Sequence, residues 1–204
     1  ETSLMSSYMA MPKEGHLKQL YHMFSYLKSH HNSEMVFDPS EPDVETSDFP
    51  REDWSLSIYG DVSEELPKAK SFEESGPGDM PEPRGRGFRM RVYVDCDLGG
   101  ELVTRRSRTG FAVFLNNAPI YWSSKKQNSV ETSSFGSEFM AMKHCTEYVR
   151  GLRYKLRMMG IPCELPTFIY GDNKSVLSNT TVPDSTLKKK SNSIAYHFVR
   201  EGCA

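Results

Sequence analysis

The spacing of apolar residues between positions 88 and 179 changes in an order that restricts the possible folds. Apolar and polar side chains alternate over 88–96, which predicts a strand with one buried face. A second strand is predicted over 109–115, and a third over 120–123, after the turn-forming residues Asn-Asn-Ala-Pro. Because the connections between these strands are short, we expect an antiparallel meander.

A long helix is predicted to follow the meander. Residues 132–134 (Thr-Ser-Ser) are candidate N-caps, and apolar side chains then recur at spacings of three and four until Gly160. A fourth strand is predicted over 167–171 and another helix over 173–179. This order predicts an α/β domain with a mixed sheet, in which a parallel strand joins the meander through a helical crossover and helices flank the sheet.

Composition divides the chain into three segments. Residues 1–37 predict a helical segment whose apolar stripe must dock on a partner. Residues 38–87 contain 7 of the 12 prolines and predict an acidic, proline-rich linker or insertion. Residues 88–204 hold the α/β domain, which we expect to be incomplete because position 204 falls within a predicted helix.

Charge is distributed unevenly along the chain. Residues 38–83 carry 14 acids against 3 bases, whereas residues 84–204 carry 19 bases against 10 acids. A basic segment of this size indicates a polyanionic partner such as nucleic acid. The competing interpretation is that the acidic and basic segments attract each other.

The 4 cysteines and 6 histidines show no short metal-ligand spacing, so a zinc site is not predicted. Scattered free thiols favour a reducing, intracellular compartment. No apolar run has the length of a membrane span and no signal peptide opens the sequence, so we expect no membrane partner.

Three acidic residues occupy positions that packing does not explain. Asp95 lies near the end of the first strand, Glu138 lies on the apolar side of the long helix, and Asp172 ends the fourth strand, where α/β sheets present ligand sites. Converging carboxylates repel one another unless a divalent cation neutralises them, and oxygen-only ligands suit Mg²⁺ or Mn²⁺. For Asp97 or Asp172 taken singly, a helix cap or surface salt bridge is the competing interpretation.

The domain resembles the ribonuclease H domain of copia-type retrotransposon Pol polyproteins, in the order and spacing of several motifs over about 88–201. Residues 1–37 more weakly resemble the stretch that joins the family's reverse transcriptase to this domain. The matching motifs are YVDCD at 93–97, RRSRTG at 105–110, WSSKKQ at 122–127, ETSSFGSEFMAM at 131–142, IYGDN at 169–173 and YHFVRE at 196–201.

This resemblance implies a ribonuclease H-like fold, and it implies that Asp95, Glu138 and Asp172 are three of the family's four catalytic, metal-binding carboxylates. The fourth is expected in a segment beyond residue 204. The implied activity is hydrolysis of the RNA strand of an RNA–DNA hybrid with two Mg²⁺ ions, or Mn²⁺ in their place. The implied partners are that hybrid and the reverse transcriptase domain of the same polyprotein, and the implied location is a cytoplasmic virus-like particle.

Several basic and amide side chains of the α/β domain are candidates for nucleic-acid contact. For each base taken singly, a solvated surface role is the competing interpretation. The candidates are Arg105, Arg106, Arg108, Lys125, Lys126, Gln127 and Asn173.

Two other functions compete with the nuclease. A catalytically inactive retroelement fragment would act only as a nucleic-acid-binding or connection module, and its binding would depend on salt but not on metal. Another enzyme of the ribonuclease H-like fold, such as an integrase, would transfer DNA strands. The motifs at 122–127 and 133–142 argue against the integrase.

Overall fold

The computed structural model describes residues 1–44, 47, 49–50, 52–59, 78–188 and 190–204. The chain divides into two compact units, Glu1–Phe37 and Asp38–Ala204. Residues 60–77, which make up much of the predicted linker, lie outside the described residues. The three-segment division of the chain therefore stays a prediction.

The first unit contains two helices, α1 (Thr2–Ser6) and α2 (Glu14–Ser29). Apolar side chains on α2 are exposed, with Leu17 at 49% and Phe24 at 58% of their full accessibility. Within the part of the chain that the structure describes, no helix combines the length and apolar character that a bilayer crossing requires.

The second unit is built on a four-stranded mixed sheet. Its strands are β1 (Met90–Asp97), β2 (Arg108–Leu115), β3 (Ala118–Lys126) and β4 (Thr167–Tyr170), in the spatial order β3-β2-β1-β4. β1, β2 and β3 form an antiparallel meander, and β4 pairs with β1 in parallel. The predicted α/β class with flanking helices is confirmed, and the topology is compatible with a ribonuclease H-like fold.

Among the described residues, three α-helices accompany the sheet: α3 (Ser134–Met158), α4 (Lys174–Thr181) and α5 (Ser193–Glu201). α3 packs on β1 and β2, because alternate strand residues and one helix face supply the apolar core. Val92, Val113 and Phe139 are fully buried there, and each such side chain contributes roughly 1.5–3 kcal/mol to stability. The core fixes α3 across the two central strands and thereby fixes the start of that helix at one end of the sheet.

Arg200 joins α5 to the end of α4. Its guanidinium is 2% exposed and donates hydrogen bonds to the carbonyl oxygens of Asn179 and Val182, both at 2.8 Å. The same guanidinium lies over the rings of Trp54 and Tyr196 at 4.7 and 4.8 Å. The described residues before β1 therefore contribute to the packing of this unit.

Candidate functional site

The structure brings Asp95, Glu138 and Asp172 together at one end of the sheet. Tyr93 in β1 is the register partner of Tyr170 in β4, and each aspartate lies two residues beyond its tyrosine. Because the two strands are parallel neighbours, both aspartates lie at the same end of the sheet. One carboxylate oxygen from each of the three acids lies within 4.8 Å of the others.

Glu138 lies at this same end of the sheet because the first turns of α3 are fixed there. Ser133 is the N-cap, and its side chain accepts a hydrogen bond from the Gly136 N–H at 3.2 Å. The buried Phe139 and Met142 hold the same turns against the sheet. Glu138, partly buried directly before Phe139 in the helix, therefore extends towards the two aspartates.

Asp172 is placed by the short turn between β4 and α4. The next residue, Asn173, caps α4 by accepting hydrogen bonds from the N–H groups of Ser175 and Val176 at 3.1 and 3.2 Å. Because of this cap, α4 begins within a few residues of the end of β4. Asp172 is left exposed at the point where the chain changes direction.

The three carboxylates form an electrostatically strained group. Burial first, and then the charges of Asp95 and Asp172, raise the pKa of Glu138 to about 7. Asp95 accepts one hydrogen bond from the Cys96 N–H at 2.7 Å. None of the ion pairs among the described residues involves any of the three acids.

This donor set fits a hard divalent cation. All of the candidate ligand atoms are carboxylate oxygens, which Mg²⁺ and Mn²⁺ prefer. Two of the three acids are exposed, so solvent and a ligand can reach the group. The convergence suggested by the sequence is present, and the roles of the three acids as metal ligands stay a prediction.

The predicted nucleic-acid contacts lie mostly at this same end of the sheet. Arg108 pairs with Asp97 across β1 and β2, and with Lys126 across β2 and β3. Arg105 and Arg106 lie in the connection between β1 and β2, and Lys125 is exposed in β3. The basic side chains therefore share one end of the sheet with the acids, and their contacts with nucleic acid stay predictions.

The loop that carries Arg105 and Arg106 is organised by Glu101. The Glu101 N–H donates to the carbonyl oxygen of Arg106 at 3.3 Å, and the Arg105 N–H donates to that of Glu101 at 2.7 Å. The Glu101 carboxylate, 7% exposed, accepts hydrogen bonds from the N–H and hydroxyl of Thr104 and lies 3.7 Å from the Lys126 Nζ. Sequence patterns did not identify Glu101, because a loop contact between neighbours leaves no periodic signal.

The sequence predicts a nucleic-acid contact for Gln127, which stays a prediction; in the structure its side chain is bonded within the protein. Its side chain is 2% exposed, and Nε2 donates to the Thr109 hydroxyl at 3.0 Å and to the Ser137 carbonyl at 2.9 Å. Gln127 directly follows β3, and its backbone N–H donates to the carbonyl oxygen of the buried Ser107 at 2.8 Å. A polar residue after two lysines gives no sequence signal of this burial.

Asn173 has a structural role that the sequence assignment did not include. Its side-chain oxygen is engaged in capping α4, and the residue is half-buried. A contact of its amide nitrogen with nucleic acid stays a prediction.

Similarity to known proteins is consistent with this geometry. A stretch of 117 residues, 57% of the chain, is 31% identical to the Retrovirus-related Pol polyprotein from transposon RE1 of Arabidopsis thaliana. The corresponding protein of transposon RE2 from the same plant is 30% identical over 117 residues, and that of transposon TNT 1-94 of Nicotiana tabacum is 25% identical over 112 residues. No family model matches the sequence.

The similarity covers 8% of the length of each of these three relatives. The homologues of this chain are thus copia-type retrotransposon Pol polyproteins, matched over about half of the chain, and they support its interpretation as part of a retroelement polyprotein.

Proposed function

We propose that this chain contains the ribonuclease H module of a retrotransposon reverse transcriptase and hydrolyses the RNA strand of RNA–DNA hybrids. The observation that carries the proposal is the group formed by Asp95, Glu138 and Asp172, whose oxygens lie within 4.8 Å of one another. A cluster of repelling carboxylates at the end of an α/β sheet is costly for folding alone and useful for binding cations.

Asp95, Glu138 and Asp172 would hold Mg²⁺ or Mn²⁺. A pair of such ions supplies an activated water and stabilises the leaving 3′-oxygen of a phosphodiester. The protein's own contribution is to fix the carboxylate oxygens on three separate elements, β1, α3 and the turn after β4. Two of these elements are a strand and a helix, which hold a side chain more accurately than a loop does.

The basic side chains beside the acids would bind the hybrid. Arg105, Arg106 and Lys125 belong to the loop and strand at the same end of the sheet as Asp95, and they would contact phosphates of the hybrid. The hybrid itself would be distinguished from DNA by contacts to the 2′-hydroxyl groups of the RNA strand. Phosphate binding would supply most of the affinity, and the acids would supply the cut.

The Pol polyprotein relatives support placing this activity in reverse transcription. The proposed partners are therefore an RNA–DNA hybrid and the reverse transcriptase domain of the same polyprotein, within an intracellular virus-like particle.

A cleavage assay tests the proposal directly. The protein is purified with an extension that includes the segment in which the fourth carboxylate is expected, and it is incubated with a hybrid whose RNA strand is end-labelled, with Mg²⁺ or with EDTA; single-stranded RNA and duplex DNA serve as alternative substrates. We expect cutting of hybrid RNA that requires the ion. Asp95→Asn and Glu138→Gln should each slow it by at least about a thousandfold, because losing a ligand costs several kcal/mol.

Glu147→Gln is the matched control. Glu147 is exposed on the same helix as Glu138 and pairs with Lys143 at 2.5 Å, away from the cluster. Its loss should leave the rate within twofold. Undiminished cutting by the Asp95 and Glu138 variants would overturn the proposal. Salt-sensitive hybrid binding without any metal-dependent cutting would instead indicate a binding or connection module.

A further inference from the structure

Gln127 is buried at the end of β3 and contacts the neighbours of two cluster carboxylates. We infer that it is a positioning residue that fixes Glu138 relative to Asp95, an inference that rests on the proposed function of the cluster. Its side chain is 2% exposed although a carboxamide is costly to bury. Buried amides are normally hydrogen-bonded, so the partners of Gln127 show which elements it connects.

The bonds of Gln127 join two elements of the site. Nε2 lies 2.9 Å from the carbonyl oxygen of Ser137, the residue before Glu138. The same nitrogen lies 3.3 Å from the Sγ of Cys96, the residue after Asp95. One carboxamide group therefore spans from the second turn of α3 to the end of β1.

The amide is held in place by its surroundings. The hydroxyl of Thr109 in β2, which is 3% exposed, also lies 3.0 Å from Nε2, so the two hydrogens of Nε2 are shared among three acceptors, and Oε1 is buried with no hydrogen-bond partner among the described residues. The backbone N–H of Gln127 donates to the carbonyl of Ser107 at 2.8 Å, and Ser107 is fully buried. These contacts anchor Gln127 to the meander, so its bond to Ser137 ties α3 to the sheet rather than to a mobile loop.

The hydrogen bond between Gln127 and Ser137 opposes the repulsion within the cluster. Carboxylate oxygens of Asp95, Glu138 and Asp172 lie within 4.8 Å of one another, and like charges at that distance repel. A buried hydrogen bond in a low-dielectric setting opposes that repulsion and has a fixed direction. Apolar packing at the same position would fill the space without fixing the separation of the carboxylates.

The test compares Gln127→Met with Thr146→Val. Methionine keeps the length and volume of glutamine but cannot donate. Thr146 lies two turns further along α3, is 6% exposed and donates to the Met142 carbonyl at 2.9 Å. Its replacement also removes one buried hydrogen bond from the same helix but leaves the tie to β1 intact.

Two measurements are made on each folded variant without nucleic acid. Mn²⁺ affinity is followed by electron paramagnetic resonance, and we expect Gln127→Met to weaken it about tenfold, as loss of an outer-shell partner does. Hydrogen exchange should quicken in the first two turns of α3 in this variant only. Thr146→Val should bind Mn²⁺ within twofold of the wild type.

Equal Mn²⁺ affinity in the wild type and Gln127→Met, with unchanged exchange at the start of α3, would overturn the inference. A wild-type chain that binds no Mn²⁺ would defeat the proposed function, and local exchange alone would then decide the role of Gln127.

If Gln127→Met does not fold, nuclear magnetic resonance of the wild type provides the test. The Gln127 carboxamide protons should exchange slowly and show a scalar coupling to the Ser137 carbonyl carbon. Exchange at the rate of a surface amide would overturn the inference.

Discussion

Two glutamates near the same end of the sheet have opposite electrostatic environments. Hydrogen bonds from Thr104, with the Lys126 ammonium adding a smaller effect, hold the pKa of Glu101 below its ordinary value. Burial and two neighbouring aspartates raise the pKa of Glu138 to about 7, and no described residue donates a hydrogen bond to that carboxylate. The fold itself stabilises the charge of Glu101, so that acid organises a loop. The charge of Glu138 has to be stabilised by a bound ligand instead. This difference distinguishes a binding site from a structural contact.

The largest expected effect is a rise in melting temperature when a divalent cation is added. This rise should depend on Glu138 and not on Glu101. At pH 8, Mn²⁺ at about a hundred times its dissociation constant should raise the melting temperature of the wild type by roughly 5–10 °C. Glu101→Gln should show the same increase, because Glu101 is not in the cluster. Calorimetry with and without Mn²⁺ measures it. An equal increase in Glu138→Gln would remove the distinction between the two acids.

The pH dependence of stability without divalent ions should follow the raised pKa of Glu138. The folded chain binds this proton more tightly than the unfolded chain does, so the stabilisation is complete below about pH 4.5 and lost as the pH rises towards 7. The loss attributable to Glu138 is well below about 3 kcal/mol, because solvent screens this partly exposed carboxylate. Urea unfolding in EDTA from pH 4.5 to 8 measures it. Parallel profiles for the wild type and Glu138→Gln would contradict the prediction.

The main elements of the fold were predictable from the sequence because their periodicities are long and unmixed. Strand alternation over 88–96 corresponds to β1, Met90–Asp97, and the predicted N-cap region 132–134 contains the observed cap, Ser133. Agreement is poorest in β3, which was predicted over 120–123 and extends over Ala118–Lys126. Its polar end, Ser-Ser-Lys-Lys, lacks an apolar pattern and is held in the sheet by pairing with β2.

The candidate site was predictable in part, for a related reason. An acid on an apolar stripe or at a strand end conflicts with its local pattern, and Asp95 and Glu138 could be selected on that basis. Gln127 and Glu101 could not, because both are buried by tertiary contacts of segments that look like polar surface. Sequence patterns indicate which charges lack a structural reason, and contacts in the structure are needed to identify the residues that position them.

A smaller effect on the melting temperature is expected when either glutamate is replaced by glutamine. At pH 8 without divalent ions, Glu138→Gln should raise the melting temperature by roughly one to three degrees, because it relieves repulsion within the cluster. Glu101→Gln should lower it, because it weakens the hold on Thr104 and on Lys126, which lies 3.7 Å away. Thermal unfolding by circular dichroism is sufficient for this. Shifts of the same sign would show that the two environments do not differ as described.

The smallest effect concerns the loop that Glu101 organises. Arg105, in that loop, has a positive φ of 55° and is exposed, so Arg105→Gln should remove one phosphate contact while keeping the loop bonded to Glu101. The slope of log affinity for a hybrid against log salt should then become shallower by about 1. Lys155→Gln is the control, since Lys155 is exposed on α3 seventeen residues beyond Glu138, roughly 25 Å along the helix. Fluorescence anisotropy over a range of salt concentrations measures both variants. Equal slopes for Arg105→Gln and Lys155→Gln would mean that Arg105 makes no phosphate contact, and binding at this end of the sheet would then depend on the other basic residues, Arg106, Arg108, Lys125 and Lys126.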